Sequence, residues 1–308
     1  MKSTAWYIIL NPAAANGRAG RTWLRIAELL STAEIAYELI ETAYRAHAIE
    51  LVAAGTKKGF HKIMAIGGDG INNEVINGIA TQTHLPIDQI IYTLLPLGTG
   101  NDWIKTHGIP TDFKKWIPKL KNGRVIRQDI GVLTYHKDGA PKKRYFANVA
   151  GLAYDAFLCK EMSQEKNFSN QLGFLWLTIR ELFKYKLRKA RVCFDDQEIE
   201  NYFYTINIGI CRYSGGGMQL VPHAIPDDGL LALTIAGPIS KLGVLLNSWR
   251  FYSGSVKGHS QVNCFKTKKI VIDAIGSEPT LVEVDGEFLG ETPVRCWILE
   301  QQLNVLVP

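Results

Sequence analysis

The sequence predicts an N-terminal doubly wound parallel α/β sheet followed by an antiparallel β-sandwich, within 308 residues. Three observations carry that prediction. Short apolar runs alternate with helix-period segments up to about Arg124, the order that builds a parallel sheet with helices on both faces. Three of those runs stop at turns rich in glycine or asparagine, and ligands of such sheets bind at the carboxyl ends of the strands. Beyond Arg124, eight short strand-like runs follow one another between turn signals.

Taken in order, Trp6–Leu10 reads as a strand that breaks at Asn11-Pro12, and Thr22–Leu30 has helical spacing of Trp23, Ile26, Ala27 and Leu30. Ala36–Ile40 is a second strand and Ala46–Lys57 a second helix. Lys62–Ile66 runs into Gly67-Gly68-Asp69-Gly70, and the next helix sets Val75, Ile76 and Ile79 on one face. Ile90–Leu95 is the fourth strand. The later strands are Val125–Leu133, Arg144–Ala150, Ala190–Phe194, Tyr202–Ile210, Leu230–Ala236, Lys268–Ala274, Thr280–Val284 and Val294–Leu299. This gives a Rossmann-like domain over residues 1–128, a β-sandwich over 129–301, and a segment 302–308 expected to return to the first domain.

Composition narrows the function. Hydrophobic residues at 46% and charged residues at 21% suit a soluble globular chain, and no repeat or low-complexity tract is present. The net charge of +6 favours nucleotides, phosphates or an anionic membrane. It is too small to argue for nucleic acid, and no helix-turn-helix or zinc-finger spacing supports that reading. Five scattered cysteines without a C-x-x-C pair speak against disulfides and zinc, hence for a reducing compartment. Ala5–Leu10 is too short for a signal core, and no apolar run approaches the ~20 residues of a membrane span. A cytoplasmic protein is expected.

Candidate chemistry lies in the turns. Gly67-Gly68-Asp69-Gly70-Ile71-Asn72-Asn73-Glu74 stands between a strand and a helix, where adjacent glycines admit a phosphate to a helix N-terminus and Asp69 could hold magnesium. A glycine turn with a capping aspartate is also a common structural device. Pro96-Leu97-Gly98-Thr99-Gly100-Asn101-Asp102 follows the next strand, and two such turns on consecutive strands make coincidence a poor explanation. Asn11-Pro12-Ala13-Ala14-Ala15-Asn16-Gly17-Arg18 follows the first strand, with Arg18 or Arg21 to supply charge.

Together these segments resemble the diacylglycerol kinase catalytic-domain family, the bacterial lipid kinases related to sphingosine and ceramide kinases. Thr42 with His47-Ala48, the run Phe146–Ala156, Gly215-Gly216-Gly217-Met218, Pro222, Ala224, Asp228-Gly229-Leu230-Leu231 and Val284-Asp285-Gly286-Glu287 extend the resemblance over nearly the whole chain. The resemblance implies an ATP-dependent lipid kinase with its active site in a cleft between the two domains. ATP would meet Asn11, Pro12, Ala14, Gly17, Thr42, Gly67, Gly68, Asp69, Gly70, Asn73, Glu74, Gly98, Thr99, Asn101 and Asp102. Asp69 would act with a catalytic Mg2+, and Asp228 with the backbone oxygens of Ile225 and Leu230 would match a structural metal site. Asp285 and Glu287 would lie near the acceptor hydroxyl, with Glu287 as general base, since an alcohol hardly ionises at neutral pH.

Two positions depart from the family pattern: Ile71 replaces a threonine and cannot donate to phosphate, and Ala15 replaces a glycine and crowds the first loop. An NAD kinase-like enzyme and a catalytically weak nucleotide- or lipid-binding regulator are the alternative readings. The implied partner is a lipid presented at a membrane surface, at the inner face. Monomer and homodimer both stay open. Leu172, Phe174, Leu175, Trp176, Leu177, Ile179, Leu182 and Phe183 precede Lys184, Lys186, Arg188, Lys189 and Arg191, a helix suited either to packing on the sandwich or to docking on an anionic bilayer.

Overall fold

Burial on both faces makes β1 (Ser3–Leu10) a central strand: Trp6 to Leu10 are all buried, between the parallel strands β2 (Tyr37–Glu41) and β3 (Phe60–Gly67). The computed structural model describes residues 3–164 and 171–308, with backbone alone for Ser3 and for 171–175. The chain divides into two compact units, Met1–Ile130 with Gly215–Gly217 and Leu299–Pro308, and Gly131–Ser214 with Met218–Ile298.

In the first unit the sheet continues through β4 (Ile91–Pro96), parallel to β3, and β5 (Arg124–Gln128) forms its edge. The last strand of the chain, β17 (Leu303–Val307), inserts between them, parallel to β4 and antiparallel to β5. Helices α1 (Ala14–Thr32), α2 (His47–Lys57) and α3 (Asp69–Thr81) make the crossovers. Their inward residues, among them Ile26, Leu30, Val52, Val75, Ile76 and Ile79, are fully buried, as the helical periodicity requires. Short helices α4 (Asp102–His107) and α5 (Phe113–Trp116) follow β4.

The second unit is one antiparallel sheet of eleven strands. They are β6 (Gly131–Lys137), β7 (Ala140–Phe146), β8 (Val149–Ala153), β9 (Arg188–Phe194), β10 (Gln197–Phe203), β11 (Thr205–Gly209), β12 (Leu231–Ala236), β13 (Val262–Thr267), β14 (Lys269–Ala274), β15 (Leu281–Val284) and β16 (Glu287–Ile298). Although β9 and β13 stand toward opposite ends of the strand order, Phe194 and Phe265 meet with ring centroids 4.8 Å apart, and Thr267 donates to Asp195. The sheet therefore folds over on itself in the manner of a sandwich, enclosing Leu152, Ile206, Leu233, Ile272, Val282 and Val294 in one core. Helices α6 (Tyr154–Gln164), α7 (Gln171–Lys184), α8 (Lys241–Asn247) and α9 (Trp249–Ser253) complete the unit.

Three strands expected as single runs are each two. Val125–Leu133 splits into β5 and β6, which belong to different sheets; Gln302 holds Asp129 by a 2.8 Å hydrogen bond, and Leu299 N–H bonds Ile130 O. Arg144–Ala150 breaks at Asn148, whose carbonyl accepts the N–H groups of Ile210 and Cys211. Tyr202–Ile210 breaks at Tyr204, which donates its N–H to Ala236 O. No glycine or proline stands at the breaks at Asn148 and Tyr204, so side-chain pattern gave little punctuation there. In the first run Gly131 and the polar Arg127-Gln128-Asp129 do mark the break.

Candidate active site

The parallel strands β1, β3 and β4 end on one edge of the first unit's sheet, and there the three motif turns gather. Asn11 leaves β1 by donating its N–H to Ile66 O at 3.0 Å, and its side-chain oxygen accepts Ala13 N–H at 3.1 Å. Ala15, Asn16 and Gly17 then take left-handed dihedrals, φ 50°, 57° and 78°. For Ala15 that conformation costs roughly 1–2 kcal/mol, so the departure from glycine introduces backbone strain. The guanidinium of Arg21 reaches back over Gly17, its Nη1 2.9 Å from where a side chain there would begin.

At the centre, Gly68 and Gly98 bring two backbones together. A β-carbon on Gly98 would stand 2.3 Å from Gly68 Cα, and one on Gly68 would stand 2.9 Å from Gly98 Cα. Asn101, itself left-handed, closes the second turn by accepting from Gly98 N–H at 3.1 Å and donating to Gly98 O at 2.9 Å. The close approach lets Asp69 reach across to the next helix. Its Oδ1 accepts the N–H groups of Asp102 at 2.9 Å and Trp103 at 3.4 Å, capping α4 from another element. Burial first, and the neighbouring Asp102 second, push the Asp69 carboxyl up to about 6. Asp102 is buried in turn: Lys105 donates to its Oδ1 at 2.6 Å, and Gly216 N–H to its Oδ2 at 2.7 Å. The Gly215–Gly217 tip and Lys105 thus join the site, which sequence reading had not placed there; the signal was the run of three glycines.

Other expected contacts serve the frame. Glu74 accepts the N–H groups of Ala46 at 2.8 Å and Ala48 at 3.4 Å, so it caps α2 and fixes the loop after Thr42. Thr42 itself donates its N–H to Leu10 O. Asn73 is buried and its side chain accepts from Asn77 at 3.0 Å. Ile71 is buried too, with Cγ2 2.8 Å from where a β-carbon on Gly67 would lie, so it fills the core beneath the turn. Thr99 and Gly70 are exposed, while Pro12 and Ala14 are half-buried.

In the second unit, Asp285 (φ 50°) and Gly286 (φ 82°) form the two-residue hairpin turn between β15 and β16. Asp285 ties it to β8, accepting Val149 N–H at 3.0 Å through Oδ1 and donating its own N–H to Val149 O at 2.9 Å. Arg144 holds Glu287 Oε2 at 2.8 Å. Beneath the turn, Glu283 is buried and its Oε2 accepts Gly286 N–H at 2.8 Å. Burial, with Asp155 nearby, raises the Glu283 carboxyl well above the usual carboxylate range, and burial raises Asp155 to about 6. Gly151 makes room for this pair, since a β-carbon there would meet Glu283 Oε1 at 2.4 Å. Neither Glu283 nor Asp155 had been singled out as a site residue.

Asp228 lies elsewhere in the second unit. Its Oδ1 accepts Leu230 N–H at 3.1 Å and its Oδ2 takes the Lys266 ammonium, while Ile225 is exposed. A lysine supplies the positive charge beside Asp228, as Lys105 does beside Asp102. Asp69 and Asp102 do suit a divalent cation, because Mg2+ is commonly held by one or two carboxylates plus substrate phosphates. Among the described residues no group of three or more His, Cys, Asp or Glu is arranged to hold a metal unaided.

Comparison with known proteins matches residues 5–133 to the diacylglycerol kinase catalytic domain and residues 148–307 to the YegS C-terminal NAD kinase beta sandwich-like domain. A diacylglycerol kinase of Staphylococcus saprophyticus is 27% identical over 304 residues, 98% of this chain and 94% of that protein. A diacylglycerol kinase of Mycobacterium tuberculosis is 25% identical over 268 residues, 84% of this chain and 80% of that protein. The crystal structure of a diacylglycerol kinase from Bacillus anthracis shares the fold, with TM-score 0.72 and 18% identity, covering 100% of this chain and 98% of that one.

Two expected outcomes follow from the buried acids. Since the folded carboxyl of Asp69 sits above its unfolded value, the stability it contributes is present below about pH 4 and lost as pH rises through about 6. Asp69→Asn keeps an acceptor for α4, so in chemical denaturation it should stabilise the ligand-free protein at pH 7.5 by on the order of 2 kcal/mol, the gain fading near pH 4. A stability gain that is equal at both pH values would refute the assignment. Burial raises the Glu283 carboxyl well above the usual carboxylate range, and Gln keeps an acceptor for Gly286 N–H, so Glu283→Gln should melt close to the parent protein. Glu283→Ala should lose about 2 kcal/mol by stranding Gly286 N–H.

Proposed function

Because the chain belongs to the family that joins a diacylglycerol kinase catalytic domain to a YegS-type C-terminal NAD kinase beta sandwich-like domain, we propose that it transfers the γ-phosphate of ATP to a hydroxyl of diacylglycerol or a related lipid. The observation that carries this reading is the convergence of three phosphate-sized turns on one sheet edge, with the Asp69–Asp102 carboxylates beside the Gly68–Gly98 contact. The touching glycines leave no side chain to bar a phosphate from the backbone. Arg21 and Lys105 supply positive charge beside the turns.

Mg2+ held by Asp69 and Asp102 would offset negative charge on the phosphates. Ionised Asp69 is needed for that role, and its raised pKa means that a bound cation restores the charged form which burial disfavours. Glu287, oriented by Arg144 and carried on a turn braced by Asp285 and Glu283, accepts the proton of the acceptor hydroxyl as it attacks. The lipid is met at a membrane surface. The signatures Asp228-Gly229-Leu230-Leu231 and Asp285-Gly286-Glu287 favour a lipid acceptor over NAD.

Labelled γ-phosphate followed from ATP with Mg2+ into mixed micelles of diacylglycerol, beside NAD as competing acceptor, tests the reading. Transfer to lipid and not to NAD is expected, with Glu287→Gln slowing turnover by about 10²–10⁴-fold. Transfer that survives Glu287→Gln, or runs to NAD instead, would reject it.

A further inference from the structure

Half of the large apolar side chains that stand exposed among the described residues belong to one part of the second unit: Trp176, Phe183, Leu242, Leu246, Trp249 and Tyr252. Leu242, Leu246, Trp249 and Tyr252 recur at helical spacing along α8 and α9, and Ser248 between them keeps helical dihedrals (φ −58°, ψ −30°), so the four line one stripe. The stripe is not the packing face. Val244 and Leu245 turn inward toward Tyr204 and Ala236, and Phe251 toward Leu220 and Val221. Leu242 and Leu246 meanwhile remain 64% and 67% exposed. Trp176 and Phe183 of α7 extend the surface, since the ammonium of Lys241 bonds Phe183 O and stands 5.8 Å from its ring centroid.

Charge says what this surface meets. From Gly229 to Ile272 the chain has no Asp or Glu, yet it carries Lys241, Arg250, Lys257, Lys266, Lys268 and Lys269, as many positive charges as the net charge of the whole protein. The guanidinium of Arg250 lies 5.0 Å from the Trp249 ring and that of Arg180 4.8 Å from the Trp176 ring. Glu181, buried, pairs with Arg180 and Lys184, and Asp228 takes Lys266. Exposed leucines, with tryptophans beside guanidinium groups, match the boundary of an anionic bilayer: acyl chains for the leucines, headgroup level for the rings, lipid phosphates for the cations. A second copy of the same surface would set cation against cation.

We propose that the α8–α9 stripe, with Trp176 and Phe183 of α7, is the surface by which this protein docks on an anionic lipid bilayer. The inference deepens the lipid-kinase reading and rests on it for its purpose. Its test does not need turnover. The full chain is sedimented with sucrose-loaded vesicles of phosphatidylcholine, alone or with roughly one-third phosphatidylglycerol. Binding is expected to the anionic vesicles and to weaken with added salt. Leu246→Ser with Trp249→Ser should reduce partitioning about tenfold or more. Lys241→Glu with Arg250→Glu should abolish the preference for phosphatidylglycerol.

Melting temperatures of these surface variants should stay at the parent value, and Tyr202→Ser, at an exposed aromatic on β10, should bind vesicles normally. Both double variants binding like the parent would overturn the proposal. So would a parent dimer in solution that Leu246→Ser with Trp249→Ser converts to monomer, because the stripe would then be a contact between copies. Vesicle binding that persists in a protein with no transfer to any lipid would reject the kinase reading alone. Transfer to micellar short-chain diacylglycerol without vesicle binding would reject this inference alone.

Discussion

The contact between Gly68 and Gly98 is the constraint on which the motif-bearing edge of the first unit's sheet depends. Neither residue tolerates a β-carbon, because the turns after β3 and β4 approach until their α-carbons are neighbours. That approach brings Asp69, at the start of α3, within hydrogen-bond reach of the first amides of α4. Asp102, at that helix terminus, then secures Lys105 and the amide of Gly216. Three segments distant in sequence are drawn together by one close backbone contact and two carboxylates. Burial first, and the nearness of Asp102 second, raise the Asp69 pKa, and the paired carboxylates make the place attractive to a divalent cation.

The second unit also buries a carboxyl beneath its turn. Its hairpin carries Asp285 and Glu287, and a buried Glu283 braces the turn from below through Gly286 N–H. Burial first, and Asp155 second, raise the Glu283 carboxyl well above the usual carboxylate range. Gly151 is small for a different reason from Gly68 and Gly98: a β-carbon there would meet the Glu283 carboxyl rather than another backbone.

Much of this was legible in the sequence, and the illegible part has physical causes. Alternating strands and helices and the turns at Asn11, Gly67 and Pro96 were plain, because periodicity and glycine placement are local properties. That Glu74 caps α2 and Asn73 accepts from Asn77 was not legible, since whether a polar side chain also serves the frame depends on tertiary placement. The breaks at Asn148 and Tyr204 were hidden because their bonds go to distant residues. Lys266, which gives Asp228 a lysine partner, comes from a strand 38 residues further along. The exposed stripe on α8 and α9 was invisible for another reason: Leu and Trp at helical spacing read equally well as a buried face until the structure shows which way they point.

The central claim, that the touching glycine turns form the nucleotide site, is tested most directly by calorimetric titration of ATP with Mg2+ into the parent protein and Gly98→Ala. Circular dichroism and melting confirm that the variant is folded. The account predicts that the added methyl group, forced against Gly68 Cα, weakens ATP binding by about tenfold or more, a loss of at least ~1.4 kcal/mol. An unchanged affinity in the folded variant would contradict it, and would move the nucleotide away from this edge of the sheet.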